Sequence, residues 1–262
     1  MKTITSAQNP SLKLARKLMQ SSKERQRSNK ILLDGPHLFR GYASHFGLSD
    51  CVAIFDETAV TRSSEIRSLV DAMPDDAKIL VVPEKTFRSL SPVDTPTGVV
   101  AICERPEVDE VEEGVRVHLL LDGIQNPGNL GSILRTAAAT GVTRALLSPT
   151  CADAWSPKCL RGGMGAQFVL PVSVVPDPIA AMSQFQGKRV ATSSHHGQIL
   201  MEADLSGAVL LVFGGEGAGL AKGLVSMADL TVQIPLGNEI ESLNVGAAVA
   251  MICYERMRQV SK

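Results

Sequence analysis

The stretch IPLGNEIESLNVGAAVAMICYE, residues 234–255, decides the reading of this chain. An apolar, strand-like start runs into a loop holding Gly237 and Asn238. Ser242-Leu243-Asn244 then stands where a helix begins, and a helix N-terminus presents unpaired backbone N–H groups to whatever lies there. The helix face that follows is almost wholly Ala, Val and Gly, so another backbone can approach closely over several turns.

Working outward, strands and helices alternate. VHLLLDGI (117–124), ALLSP, RVATSS, AVLLVFGG and TVQIPL read as strands, and helices are expected at about 130–140, 178–185, near Gly219 and from 244. Alternation on this scale predicts a parallel sheet with helices on both faces. Such sheets bind ligands at the carboxyl ends of their strands. The segments 122–135, 213–220 and 235–244 all follow strands, so they can gather on one sheet edge. Ahead lies a smaller alternating unit. It has helices from Pro10, after Gln20, at Pro36 and at 63–72, and strands at 31–33, 51–55, 78–82 and 97–103. The acidic stretch ERPEVDEVEEG (104–114) is the linker candidate. The expected domains are 1–106 and 107–262.

Composition narrows the classes. Apolar residues make up 44% and aromatic ones only 4%, which favours tightly packed α/β structure over a β-sandwich. No apolar run has membrane-span length, and the start lacks a secretory pattern, so a soluble, cytoplasmic protein is expected. Five scattered cysteines without a CxxC pair, and histidines without HExxH spacing, predict no metal site. Net charge is −1, but residues 1–30 carry Lys2, Lys13, Arg16, Lys17, Lys23, Arg25, Arg27 and Lys30 against Glu24 alone. A basic arm on a neutral body fits a phosphate-backbone partner. A solvated amphipathic helix fits the same pattern, since Leu12, Ala15, Leu18 and Met19 share a face.

Three segments could carry chemistry. In DGIQNPGNLGSILRTAAATG (122–141) a turn leads to Asn129, read as the helix cap, with Arg135 further along. In LVFGGEGAGL (211–220) a strand meets a glycine-rich turn around Glu216. The dinucleotide pattern G-x-G-x-x-G fails there because residue 220 is Leu. The third segment is the closing one.

Asn129-x-Gly131-x-x-x-Arg135-Thr136-Ala137, G-x-E-x-x-G-L at 214–220 and SLN-V-G-A-A at 242–248 resemble, in order and spacing, the signatures of the SpoU/TrmH-type RNA 2′-O-methyltransferases of the SPOUT superfamily. WSPKCLRGGMGA (155–166) resembles that family's S-P-K-x-x-R-x-S-x-G-A loop. ITSAQNPSLKLARKL and ILLDGPHLFRGYA resemble the substrate-binding domain ahead of many members. Gly163, Gly215 and Gly246 depart from the family pattern, where Ser is frequent at the first and third positions. The resemblance implies a parallel-sheet domain closed by a trefoil knot, behind a ribosomal-protein-like α/β domain that binds RNA. It implies a homodimer and methyl transfer from S-adenosylmethionine to a ribose 2′-hydroxyl, most plainly in 23S ribosomal RNA. Transfer RNA is the alternative target, and an RNA-binding protein with a degenerate site is the alternative class. The implied catalytic set is Asn129, Arg135, Glu216, Ser242 and Asn244. Gly214, Gly215, Ile234, Leu236 and Leu243 would hold the cofactor, the apolar side chains sandwiching adenine. Lys13, Arg16, Lys17, Arg25, Arg27, Lys158 and Arg161 would contact RNA. Because arginine stays protonated, Arg135 is expected to grip phosphate and steady negative charge on the ribose oxygen.

Overall fold

The computed structural model describes residues 2–3, 8–110, 114–215, 217 and 219–261. It divides into two compact units. The first joins Met1–Glu107 with Trp155–Phe168, and the second joins Val108–Ala154 with Val169–Lys262.

In chain order the first unit runs β1 (Lys2–Thr3), α1 (Pro10–Gln20), α2 (Ser22–Ser28), β2 (Lys30–Asp34), α3 (Pro36–Phe46), β3 (Val52–Asp56), α4 (Glu57–Arg62), α5 (Ser64–Asp71), β4 (Lys78–Val82), α6 (Glu84–Arg88) and β5 (Val99–Glu104). Its five-stranded sheet has the order β1-β4-β3-β5-β2. Strands β1, β4 and β3 are parallel, and β5 runs antiparallel to both neighbours. Helix α1 shows why the local sequence folds as it does. The Asn9 side chain accepts from the Ser11 N–H at 2.9 Å, and Pro10 suits the first turn. Leu12, Ala15 and Leu18 then fall at helical spacing and pack with Leu32, Ile54, Phe87 and Ile102 in the core.

The chain then builds part of the second unit with β6 (Val117–Asp122), α7 (Pro127–Ala139) and β7 (Arg144–Leu147). It contributes α8 (Pro157–Gly163) and a 3-10 turn at Ala166–Phe168 to the first unit. The segment 155–168 was expected as a loop. It folds because Ser156 caps α8 through the Cys159 N–H, at 3.3 Å, and because Phe168 packs edge-on against Tyr42 and Phe46, with centroids 5.7 and 6.1 Å apart. A side chain at Gly163 would stand 2.7 Å from the side-chain oxygen Oε1 of the buried Gln167, which gives this departure from the family pattern a packing reason.

The second unit closes with β8 (Val172–Val174), α9 (Pro178–Gln184), β9 (Lys188–Thr192), β10 (Gln198–Ile199), β11 (Val209–Gly214), α10 (Lys222–Ser226), β12 (Leu230–Gln233) and α11 (Val245–Val260). Its seven strands are all parallel, in the order β10-β12-β9-β11-β6-β7-β8. Central β11 is buried from Val209 to Phe213, as expected for a strand covered on both faces. Helices α7 and α11 pack against each other.

Several boundaries differ from the sequence reading. The helix expected at 63–72 is preceded by a second one, α4, with Asp56 as its cap. Helix α7 begins at Pro127, because Asn126 and not Asn129 caps it, accepting from the N–H groups of Gly128 (2.8 Å) and Asn129 (3.4 Å). The closing helix runs on to Val260.

Candidate active site

The sheet order decides which loops meet in the second unit. At the carboxyl edge the loop after β11 lies between those after β6 and β9, and the loop after β12 lies beyond β9. A cleft of about 590 Å³ opens over the ends of β11, β6 and β7. Asp122, Gln125, Asn126 and Asn129 line it from the β6 side, Thr150 from β7, and Gly215 with Leu220 from β11. Val245, the first residue of α11, completes the wall.

Backbone shape in the glycine loop is set by contact. Gly215 and Gly219 form a bridge, with the Gly219 N–H donating to the Gly215 carbonyl at 3.1 Å. A side chain at Gly214 would stand 2.2 Å from the Gly219 carbonyl carbon, and one at Gly215 would stand 2.2 Å from the Gly123 oxygen. Gly217 and Gly219 have φ of +94° and +65°, conformations side chains rarely adopt. These glycines let the loop fold onto itself and onto the end of β6. Their requirement is internal before it concerns any ligand.

The expected catalytic residues are distributed as follows. Asn129 lines the cleft from the first turn of α7. Arg135 is exposed on the same helix and has no hydrogen bond or ion pair among the described residues. It lies about 1.7 turns beyond Asn129 and roughly 120° around the helix, so the two side chains leave α7 in different directions. Asn244 is the α11 cap, accepting from the Gly246 N–H at 2.9 Å, and Ser242 is exposed ahead of it. A side chain at Gly246 would meet Asn244 Oδ1 at 3.1 Å, which is tight for the Ser found elsewhere. Glu216 lies outside the described residues.

Of the expected cofactor residues, Gly214 ends β11 and Gly215 follows it, while Ile234, Leu236 and Leu243 sit half-buried in the stretch joining β12 to α11. Half-covered apolar side chains suit a flat ring, and the bare backbone of the glycine loop suits a zwitterionic tail. The residues present therefore fit the cofactor the resemblance implies. Asp122, Gln125 and Thr150 were not among the expected site residues, although Asp122 and Gln125 lie in the segment 122–141 singled out above. Their signal was available, since each ends or follows a parallel strand, where such sheets place ligands.

The expected RNA contacts lie in the first unit. Lys13, Lys17, Arg27 and Lys158 are exposed. Arg16 is half-buried and donates to Ser89 Oγ through Nε and Nη2, at 3.3 and 3.2 Å. Arg25 is buried, and its guanidinium donates to the Leu18 carbonyl at the end of α1. That position gives Arg25 a helix-capping role and keeps it from solvent. Arg161 donates through Nη1 to Asp34 Oδ2 at 3.2 Å. The His195–His196 pair is exposed in the loop after β9, and among the described residues no cluster of potential metal ligands occurs. No helix among them is long and apolar enough to cross a membrane.

An all-parallel sheet with these strand-end loops and this closing helix is the catalytic fold of the SpoU class, and the chain belongs to the SpoU rRNA methylase family, whose model matches residues 116–254. An MRM3-like substrate-binding domain matches residues 9–101. Among individual proteins, the chain is 32% identical to the 23S rRNA (guanosine(2553)-2′-O)-methyltransferase RlmP of Bacillus subtilis, over 97% of this chain and 98% of that one. It is 34% identical to the 23S rRNA (uridine(2479)-2′-O)-methyltransferase of Streptomyces viridochromogenes, over 63% of this chain and 62% of the other. The solved structure of the SpoU methyltransferase AviRb from Streptomyces viridochromogenes, in complex with AdoMet, superposes with a TM-score of 0.84 at 26% identity, covering 96% of this chain and 98% of that one.

Proposed function

We propose that the protein transfers a methyl group from S-adenosylmethionine to a ribose 2′-hydroxyl of 23S ribosomal RNA. The observation that carries this is the cleft over the carboxyl ends of β11, β6 and β7, walled on one side by the glycine loop at Gly215 and Gly219. The target nucleoside occupies the cleft, and the cofactor lies on the other side of the glycine loop, against Gly214, Ile234, Leu236 and Leu243. When bound, the cofactor supplies a methyl group on a positively charged sulfur. Gly214, Ile234, Leu236 and Leu243 would hold it, and the methyl group it supplied would replace the ribose hydroxyl proton, which would pass to solvent water. Asn129 orients the ribose from the cleft wall. Arg135, which leaves α7 in a different direction and does not line the cleft, holds a phosphate of the bound RNA and so contributes alignment and fixed charge.

RNA binding falls to the first unit through the exposed cations Lys13, Lys17, Arg27, Lys158 and Arg161. Burial removes Arg25 from that set. A homodimer, a cytoplasmic setting and the family's knotted threading of the closing segment belong to the same reading. The dimer is supported by an exposed stripe on α11 of Ala247, Met251 and Tyr254, at helical spacing, with Met251 47% and Tyr254 60% exposed. The test is incorporation of labelled methyl into unmodified 23S rRNA transcribed in vitro, followed by mapping of the 2′-O-methylated nucleotide. Incorporation into one ribosomal site supports the reading. Incorporation only into transfer RNA, or none above an enzyme-free background, overturns it.

A further inference from the structure

Within the first unit, one carboxylate is placed at a cost that packing alone does not repay. Asp34 ends β2 with its side chain 2% exposed. Its Oδ1 accepts from Ser91 Oγ at 3.1 Å, and its Oδ2 accepts from Arg161 Nη1 at 3.2 Å. Burial pushes its carboxyl above the ordinary value, against the lowering effects of the Ser91 hydrogen bond and the Arg161 charge. Taking a carboxylate out of water is expensive, and apolar replacements of such pairs are often neutral or stabilising. The segment carrying Arg161 is already docked without it. Cys159, Leu160 and Phe168 are buried, and Phe168 packs on Tyr42 and Phe46.

The partner end of this pair is not buried. The Arg161 side chain is 44% exposed, and among the described residues only Nη1 finds a protein acceptor. A guanidinium has five N–H donors in a rigid plane. Pinning one edge to a fixed carboxylate aims the remaining donors and removes much of the rotamer freedom a phosphate would otherwise have to restrict. We propose that Asp34 is a positioning residue for RNA binding: with Ser91 it holds Arg161 so that its free edge meets a backbone phosphate. The inference rests on the RNA-binding role proposed above for the first unit.

The experiment measures binding of in vitro transcribed 23S rRNA across a salt series. It compares the wild-type chain with Arg161→Ala, Asp34→Asn and the double variant, and records thermal melting and S-adenosylmethionine binding alongside. Arg161→Ala is expected to weaken RNA binding and to shrink the salt slope by about 0.7–0.9, the loss of one phosphate contact. Asp34→Asn is expected to weaken RNA binding as well, with no further loss in the Arg161→Ala background. Because its folded pKa is raised, the ionised Asp34 opposes folding at neutral pH, so Asp34→Asn should melt at or above the wild-type temperature. A purely structural clasp predicts the reverse, lower melting with RNA affinity intact, and that result overturns the proposal. So does additivity of the two substitutions. If Asp34→Asn does not fold, Ser91→Ala carries the same comparison, and unchanged RNA affinity in a folded Ser91→Ala overturns the proposal too. Failure of the wild-type chain itself to bind RNA refutes the underlying reading instead. Cofactor binding should be unchanged in every variant.

Discussion

Arg135 stands alone on the exposed side of α7, without a protein partner among the described residues. Its removal should cost the fold little and the chemistry much. Single-turnover methylation at saturating RNA should fall roughly 10²–10³-fold in Arg135→Ala, the range for loss of a charge-stabilising donor, with cofactor binding intact. Arg135→Lys should rescue little, because the planar fork is lost. A wild-type rate for Arg135→Ala would make it an ordinary surface arginine. Gly215 behaves oppositely. An added side chain would stand 2.2 Å from the Gly123 carbonyl oxygen, so Gly215→Ala should displace the loop and weaken cofactor binding measured by calorimetry. A third residue reports pH. Burial pushes the Cys253 thiol up to about 11, against the Thr140 hydrogen bond and the Arg256 charge. A thiol raised in this way favours the fold below its ordinary range, and that contribution disappears as pH rises from about 9 towards 11. Melting temperatures should therefore fall over that window, and less steeply in Cys253→Val.

At the scale of elements, α7 owes its start to Asn126, which satisfies two N–H groups at once. Asn126→Ala should cost about 1 kcal/mol of stability, read from denaturant midpoints, and should lower activity further because the same residue lines the cleft. Asn129→Ala should leave stability nearly unchanged if its role is in the cleft. The basic helices α1 and α2 make a separate prediction. Replacing Lys13, Lys17 and Arg27 together by Ala should shrink the RNA salt slope by about 2–3, since each phosphate contact contributes roughly 0.7–0.9. Arg25→Ala should instead lower the melting temperature, because it strips the Leu18 carbonyl of a buried donor. An unchanged slope in the triple variant would leave α1 and α2 as a solvated amphipathic pair.

At the scale of the whole molecule, the α11 stripe is the surface to test for self-association. Glu substitutions at both Met251 and Tyr254 should convert a dimer to monomers in sedimentation and leave the isolated chain folded, because both side chains are exposed. Unaltered sedimentation would remove α11 from the interface. The division into units matters here too. The stretch 155–168 lies inside the sequence matched by the methylase family model, yet its contacts belong to the first unit. Substitutions in it should therefore act on RNA affinity more than on cofactor affinity.

The sequence by itself determined the alternation of strands and helices, the parallel character of the second sheet and the family. These rest on local signals: unbroken apolar runs such as 119–121, caps such as Asn9, and glycines where the chain must turn sharply. It also offered Asn129, Gly214 and Gly215 as candidates through the family resemblance, although the cap of α7 is Asn126 and not Asn129. Only the tertiary structure decided that Asn126 caps α7, that Arg25 is buried beneath the end of α1, and that Arg161 is tied to Asp34 across 127 positions of chain. Asp122, Gln125 and Thr150 stand at strand ends legible in the sequence, but their meeting in one cleft depends on the neighbouring of β11, β6 and β7. The physical reason is one of range. Propensity and capping act within a turn or two, whereas burial and pairing depend on which distant segment the sheet order brings alongside.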